Sequence, residues 1–135
     1  MAKLLQIPVM ALLLATAACF SVPDEISTEL TPAELIQRAQ EASDHNRYKV
    51  SFRYYETVLE RFPTNMEYVC AAEYEIAFIY YKQKKYNESK AEFASLLKRY
   101  DTPDAELLPP KYRILSEKIM ATISEIEAKR NRTGD

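Results

Sequence analysis

Glycine is almost absent from this sequence, since Gly134 is the only one among 135 residues. Tight hairpin turns, phosphate-binding loops and the strained turns that present catalytic nucleophiles all depend on glycine. The shortage argues against a sheet with short turns, a nucleotide-binding loop and a hydrolase-type nucleophile turn. Long stretches rich in Glu, Lys, Ala, Leu and Gln favour an all-α chain instead.

Histidine and excess positive charge are scarce as well. His45 is the only histidine, so a histidine-based metal cluster or a Ser-His-acid arrangement lacks partners. The net charge of -2 leaves no surplus of Lys and Arg to neutralise phosphates, which argues against nucleic-acid binding. We therefore expect no catalytic residue, no metal and no cofactor, and we interpret His45 as a solvated turn residue. The length suits one small domain.

The first 18 residues have the layout of a secretory signal peptide. Lys3 is followed by an apolar segment over residues 4–14 and by small residues at 15–18. The apolar segment is shorter than the ~20 residues that a membrane span needs. A buried N-terminal helix is the alternative interpretation.

Cys19 directly follows these small residues, and the stretch resembles a bacterial lipobox. The resemblance implies that Cys19 carries lipid, such as palmitate, and becomes the first residue of the mature protein. Ordinary signal cleavage after Ala17 is the alternative. Residues 19–30 then serve as a tether, because they show no clear periodicity. Cys70 is expected to pack as a small hydrophobic residue, with a disulfide between Cys19 and Cys70 as the other possibility.

A repeat with an offset of 38 residues runs through the body of the chain. Its matched positions fall on one face of a helix, because their spacings are 3, 4, 3, 1 and 3. Ala39 and Ala77 match upstream and suit close helix crossing. The six matched pairs are Tyr48 with Tyr86, Ser51 with Ser89, Tyr55 with Phe93, Val58 with Leu96, Leu59 with Leu97, and Phe62 with Tyr100.

Capping residues and prolines divide the chain into helices. Thr31 to Glu34 forms a capping box with proline at the first helical position, and Pro63 ends the second helix. The expected helices cover residues 32–42, 48–62, 67–83 and 87–100, and a last one begins at Pro110. Its apolar stripe is predicted as Tyr112, Leu115, Ile119, Ile123 and Ile126. The helical domain is expected over residues 31–129, followed by a tail at 130–135.

The repeated segments resemble the tetratricopeptide repeat (TPR), in which aromatic, small and apolar positions alternate along the second helix before a proline. The residues that carry the resemblance are Tyr48, Ser51, Tyr55, Val58, Leu59 and Pro63. The resemblance implies two TPR-like helix-turn-helix units and a C-terminal capping helix, which together form a short α-solenoid. The region is also similar to the repeats of the BamD-like lipoproteins, which assist outer-membrane protein assembly.

In the repeat family, one stripe of the first helix lines a concave groove for partner peptides. The matching positions here form the candidate partner-binding groove: Tyr74, Phe78, Tyr81, Lys82, Ile36 and Gln40. The alternative is that the last helix covers the aromatic stripe as ordinary core. The resemblance thus implies an adaptor that binds other envelope proteins or peptides, with membrane contact through the lipid only.

The expected location is the periplasmic face of the outer membrane, with a soluble periplasmic or secreted protein as the alternative. A structural homo-oligomer, or a non-catalytic subunit of an envelope assembly machine, is the alternative function. An envelope enzyme that uses helix-borne carboxylates is a further one. It would require Glu73 or Glu75 to be buried without a counter-charge.

Overall fold

A computed structural model describes residues 21–134, and this part of the chain is all-helical and contains no β-strand. A short 3-10 helix lies between the last two α-helices. The predicted all-α class is confirmed, and the predicted helix starts lie within one residue of the observed ones. The α-helices are α1 (Pro32–Asp44), α2 (Tyr48–Arg61), α3 (Met66–Lys82), α4 (Tyr86–Arg99) and α5 (Pro110–Thr133), and the 3-10 helix is Pro103–Leu107.

The predicted capping box starts α1. The Thr31 hydroxyl accepts a hydrogen bond from the Glu34 backbone N–H at 3.3 Å, and the Glu34 carboxylate accepts one from the Thr31 N–H at 2.8 Å. The helix continues two residues beyond the expected end at Ala42. His45 caps it as an exposed turn residue, with Nδ1 2.7 Å from the Glu41 carbonyl oxygen.

The 38-residue offset relates backbone geometry as well as sequence. The bounds of α2 and α4 differ by that offset, and both preceding turns contain a residue with positive φ, Asn46 at 57° and Lys84 at 59°. The Ser51 hydroxyl donates to the Ala39 carbonyl at 2.7 Å, and the Ser89 hydroxyl donates to the Ala77 carbonyl at 2.9 Å. Helices α1 and α2 form a first helix pair, and α3 and α4 form a second pair held by the same bond.

Two clusters of buried side chains form the core. The first lies among α1, α2 and α3, and the second lies among α3, α4 and α5, so α3 contributes to both. The first cluster consists of Ile26, Leu35, Ala39, Tyr55, Val58, Ala72 and Ile79. The second consists of Cys70, Tyr74, Ala77, Phe93, Leu96, Tyr100 and Leu108. Cys70 is fully buried, as predicted, and burial raises the pKa of its thiol.

Part of the predicted tether, within the described residues 21–30, packs against the domain. Ile26 is 4% exposed and belongs to the first core cluster. The Arg61 guanidinium donates to the backbone carbonyls of Ile26 at 2.6 Å and Ser27 at 2.7 Å. Two apolar side chains, Ile26 and Leu30, and two carbonyls dock the segment without any periodicity that sequence inspection could detect. Cys19 and the predicted signal peptide lie outside the described residues.

Helix α5 buries the predicted stripe except at one position: Ile123 is fully buried, and Tyr112 and Ile119 pack against the second core cluster. Leu115 is 39% exposed, whereas its neighbour Ser116 is fully buried together with Ile123. A small residue at position 116 permits close approach to the neighbouring helices, which the bulkier Leu115 would prevent. The helix also extends through the predicted tail to Thr133, where Gly134 ends it at φ 74° and donates its N–H to the Arg130 carbonyl at 3.1 Å.

Candidate functional site

Three aromatic side chains follow one another along α3 and are here called the aromatic ladder: Tyr74, Phe78 and Tyr81. Their ring centroids lie 5.9 Å apart between Tyr74 and Phe78 and 5.7 Å apart between Phe78 and Tyr81, and both pairs are stacked. The spacing of four and three residues places them on one face of the helix. Tyr74 is buried, whereas Phe78 and Tyr81 are half-buried.

The ring contacts of the aromatic ladder differ between its two ends. Tyr112 lies 5.8 Å from Tyr74 between ring centroids, and Phe93 of α4 lies 5.6 Å from Tyr74 on another side. At the other end, Tyr81 contacts Tyr86 at 6.1 Å and keeps part of its ring at the surface. Tyr74 is therefore a core residue, while the half-buried Phe78 and Tyr81 retain surface that a partner can contact.

Lys82 connects the aromatic ladder to α1. Its ammonium group donates a hydrogen bond to the Ser43 hydroxyl at 2.5 Å. The same nitrogen lies 5.6 Å from the Phe78 ring centroid and 5.5 Å from that of Tyr48, which is cation–π distance. A positive charge is thus fixed between the two helix pairs, next to exposed aromatic surface.

Ile36 and Gln40, the two α1 residues predicted for the groove, lie in different surroundings. Ile36 is half-buried against the first core cluster, whereas the ladder residues Tyr74 and Phe78 pack with the second. Gln40 is exposed, and its side chain is close enough to Glu75 of α3 to lower the pKa of that carboxyl. The structure therefore brings Lys82 to the ladder, places Gln40 beside Glu75, and leaves Ile36 in the core of the first helix pair.

Glu75 is a partly buried acid between these groups. Burial raises the pKa of its carboxyl, and Lys82 and the Gln40 side chain offset only part of that rise. Glu73, the other acid considered for enzymatic chemistry, accepts two hydrogen bonds from Arg99 at 2.6 and 2.7 Å. The two acids therefore differ: Glu73 has a counter-charge in direct contact, and Glu75 has Lys82 nearby.

The hydroxyl of Tyr55 is the second unusual polar group in this region. The side chain is fully buried, and the hydroxyl has no hydrogen-bond partner in good geometry among the described residues. Ser51 lies one turn away but already donates its hydroxyl to Ala39. Burial, followed by the negative charge of Glu75, raises the pKa of the Tyr55 phenol.

Sequence reasoning missed several members of this site. Tyr112 was assigned only to the stripe of the last helix, and Ser43 was not included in the groove. Both reach the site through contacts between residues more than 30 positions apart, which local spacing does not encode. Only the contact between Phe78 and Lys82 follows from local spacing, because residues four apart on a helix lie on the same face.

The described residues contain no group of three or more His, Cys, Asp or Glu side chains placed to hold a metal ion. Across the same range, each helix falls short of the length or the apolar character that crossing a bilayer requires. Neither finding assigns a chemistry to the site. What the described geometry offers is a stacked aromatic surface, one fixed ammonium group and one partly buried carboxyl group.

Comparison with known proteins gives one informative similarity. The chain is 39% identical over 97 residues to an uncharacterized protein of Treponema pallidum (strain Nichols). The aligned region covers 70% of this chain and 39% of that protein, so the chain spans well under half the length of its relative. No protein-family model matches the chain, and no solved structure matches it. The chain is thus similar to a longer bacterial protein whose name carries no function.

Proposed function

We propose that this protein is a non-enzymatic adaptor of the bacterial cell envelope that binds a protein or peptide partner. The observation that carries the proposal is the aromatic ladder, whose Phe78 and Tyr81 remain half-buried although they lie in the middle of the helical domain. Aromatic side chains that are rigidly packed on one side and open on the other are typical anchors for protein partners. Lys82 adds a fixed positive charge beside them.

The arrangement proposed for the domain is a short TPR-like solenoid, with two helix pairs and α5 as the cap. Its support is the equal offset in helix bounds, turn conformation and buried serine hydrogen bonds. In a solenoid of this kind α3 borders the concave surface. The aromatic ladder then lies where a partner segment would bind.

The partner's chemistry follows from the site. An elongated segment with apolar side chains would contact Phe78 and Tyr81, and a carboxylate or backbone carbonyl on that segment would accept a hydrogen bond from Lys82. A helix in a groove and an extended peptide both satisfy this description. The proposal includes no cofactor and no nucleic acid.

A lipid on Cys19 is proposed to hold the adaptor at the periplasmic face of the outer membrane. The support is the signal-like layout of residues 1–18 and the lipobox-like residues before the cysteine. Restriction to a surface raises the effective concentration of a partner on the same membrane without any new contact. A soluble periplasmic or secreted protein is the alternative location.

Site-specific photocrosslinking in the cell envelope tests the adaptor proposal. A photoreactive phenylalanine analogue at Phe78 should yield a discrete adduct heavier than this chain, because the side chain is only half-buried. The same analogue at Glu56, an exposed position on α2, is the matched control and should yield none. Equal adducts at both positions, or none at Phe78, would contradict the proposal.

Self-association is the second candidate, and a different surface favours it. Leu107, Ile114 and Leu115 are exposed by 79%, 64% and 39%, and all three lie at or near the start of α5. Large exposed apolar side chains grouped in this way are typical of interaction surfaces. An adduct of twice the chain mass from a probe at Ile114, together with a dimer in light scattering, would support a homo-oligomer.

A further inference from the structure

Positive charge is concentrated at one end of the helical domain. This end is formed by the α1–α2 turn, the α3–α4 turn and the last turns of α5, whose residues line two neighbouring depressions that share Lys85. Five basic and two acidic residues line them. One of the acids, Glu127, is paired with Lys90 at 2.7 Å. The basic residues, here called the basic end, are Arg47, Lys49, Lys84, Lys85 and Arg130.

The charge of the basic end contrasts with the rest of the chain. The whole sequence carries a net charge of -2, so the surplus of positive charge at this end is balanced by acids elsewhere. At the opposite end, Asp101, Asp104 and Glu106 are exposed around the 3-10 helix. This opposite end is here called the negative end after these three acids; it also carries Lys98 and Arg99, so charges of both signs are mixed there.

The chain enters the domain at the basic end. Arg61, at the end of α2, donates hydrogen bonds to the carbonyls of Ile26 and Ser27, and Val22 lines the same depression as Tyr48 and Phe52 at the beginning of α2. The docked segment thus runs parallel to α2, and its N-terminal side lies at the basic end. Cys19 precedes Val22 by three residues, which reach at most ~10 Å when extended.

We propose that the basic end docks on the anionic phospholipid headgroups of the membrane that carries the protein. The inference rests on the proposed lipid on Cys19, because a lipid within ~10 Å of Val22 would hold this end at the membrane surface. Lys49, Lys84, Lys85 and Arg130 are all exposed and able to reach headgroup phosphates. The negative end then points away from the membrane, and the aromatic ladder stands beside the surface with a defined orientation.

Tryptophan fluorescence tests the orientation, because the chain contains no tryptophan of its own. Asn87→Trp places the fluorophore at the basic end, and Leu107→Trp places it at the negative end; both positions are exposed. The full-length chain is expressed in bacteria, and the mature protein is reconstituted into vesicles containing brominated phosphatidylcholine, with or without phosphatidylglycerol. Quenching of Asn87→Trp that depends on phosphatidylglycerol, without quenching of Leu107→Trp, is the expected result.

Charge reversal supplies the matched control. In the Cys19→Ala background, Lys84→Glu/Lys85→Glu should weaken binding to phosphatidylglycerol vesicles by at least ~25-fold, at about fivefold per lost basic side chain. Lys98→Glu/Lys118→Glu changes the net charge equally at exposed positions outside the basic end and should weaken it far less. Equal weakening by both double variants would overturn the proposal, since it would show that only net charge matters.

Failure of the anchor and failure of the docking surface give different results. If the wild-type chain floats with vesicles of phosphatidylcholine alone but Asn87→Trp is not quenched in the anionic vesicles, the anchor stands and headgroup docking is overturned. If the chain does not float with neutral vesicles while Asn87→Trp is quenched in anionic ones, docking stands and the lipid anchor is wrong. If the basic end binds an acidic protein instead of headgroups, the chain should float with phosphatidylcholine vesicles and Asn87→Trp should remain unquenched in anionic vesicles.

Discussion

The two helix pairs have the same backbone arrangement but carry different side chains on the faces that the 38-residue offset relates. Ile36, Gln40, Ser43 and Asp44 of α1 correspond through the 38-residue offset to the aromatic ladder and Lys82 of α3. In the first pair these positions are mostly polar or small, whereas in the second they are aromatic and basic. The same helix of the repeat therefore presents a mostly polar face in one pair and the candidate binding surface in the other.

The pairs also differ in what covers them. The first pair is closed by the docked segment that contains Ile26, and the second by α5, which contributes Tyr112 and Ile123. An array of two repeats leaves faces open at both ends. These two non-equivalent covers complete the core and make the pairs dependent on different parts of the chain.

Among the substitutions that compare the two pairs, truncation of the matched aromatic core residues should lower the free energy of unfolding most. Tyr55 and Phe93 are both fully buried at corresponding positions. Replacing either with alanine should lower the free energy of unfolding by about 3–5 kcal/mol, through lost burial and a cavity. Urea denaturation followed by circular dichroism measures the change. A cost below ~1 kcal/mol at one position would show that the two sites are not equivalent parts of the core.

Truncation of Ile26, in the segment that covers the first pair, should give the next largest loss of stability. Ile26→Ala should destabilise the protein by about 2 kcal/mol or more, because the side chain is almost completely buried in the first cluster. Ile114→Ala is the matched control, since Ile114 is 64% exposed, and it should change stability by less than ~0.5 kcal/mol. Equal, small effects at both positions would mean that residues 21–30 are a loose tether after all.

The repeated serine hydrogen bonds should contribute equally. Ser51→Ala and Ser89→Ala each remove a buried bond to a carbonyl of the preceding helix, so each should cost about 1 kcal/mol. The two sites share no partner, and the double variant should equal the sum within ~0.5 kcal/mol. Thermal or urea denaturation of the three variants measures this, and a strongly non-additive result would show that the pairs are coupled.

The smallest expected effect concerns Glu75, which lies between the pairs. Its pKa is raised above the ordinary value of 4.5, so the folded state binds this proton more tightly than the unfolded state. Stability from this group is therefore present at low pH and is lost as the pH rises through the folded pKa. Glu75→Gln should raise the melting temperature slightly at neutral pH and reduce its decline between acidic and neutral pH.

Glu73→Gln is the control for Glu75, because it removes the charge and one of the two acceptor oxygens that bind Arg99. Its melting temperature at neutral pH should fall. A Glu75→Gln variant that behaves like Glu73→Gln would show that Glu75 is stabilised by Lys82 and Gln40 more than it is destabilised by burial.

Local signals predicted most of the helices. The Thr31 capping box, Pro63 and the prolines at 109 and 110 each act on the backbone within a few residues, so their effects can be predicted from sequence without knowledge of the fold. The 38-residue offset further predicted that Ser51 and Ser89 would occupy equivalent places.

Long-range contacts account for what sequence reasoning missed. Docking of Ile26 depends on Arg61, 35 residues away, and burial of Ser116 in place of Leu115 depends on where α5 meets the other helices. The basic end combines two turns and a helix end from distant parts of the chain. None of these produces a run or a period in the sequence.

The mass of the mature protein tests the central claim of a membrane-anchored adaptor most directly. The full-length chain and a Cys19→Ala variant are expressed in a bacterial host and compared by mass spectrometry. We predict that the mature wild-type chain begins at Cys19 and carries the mass of two or three acyl groups, and that the variant lacks this mass. An unmodified wild-type chain beginning at Ala18 would contradict the anchor.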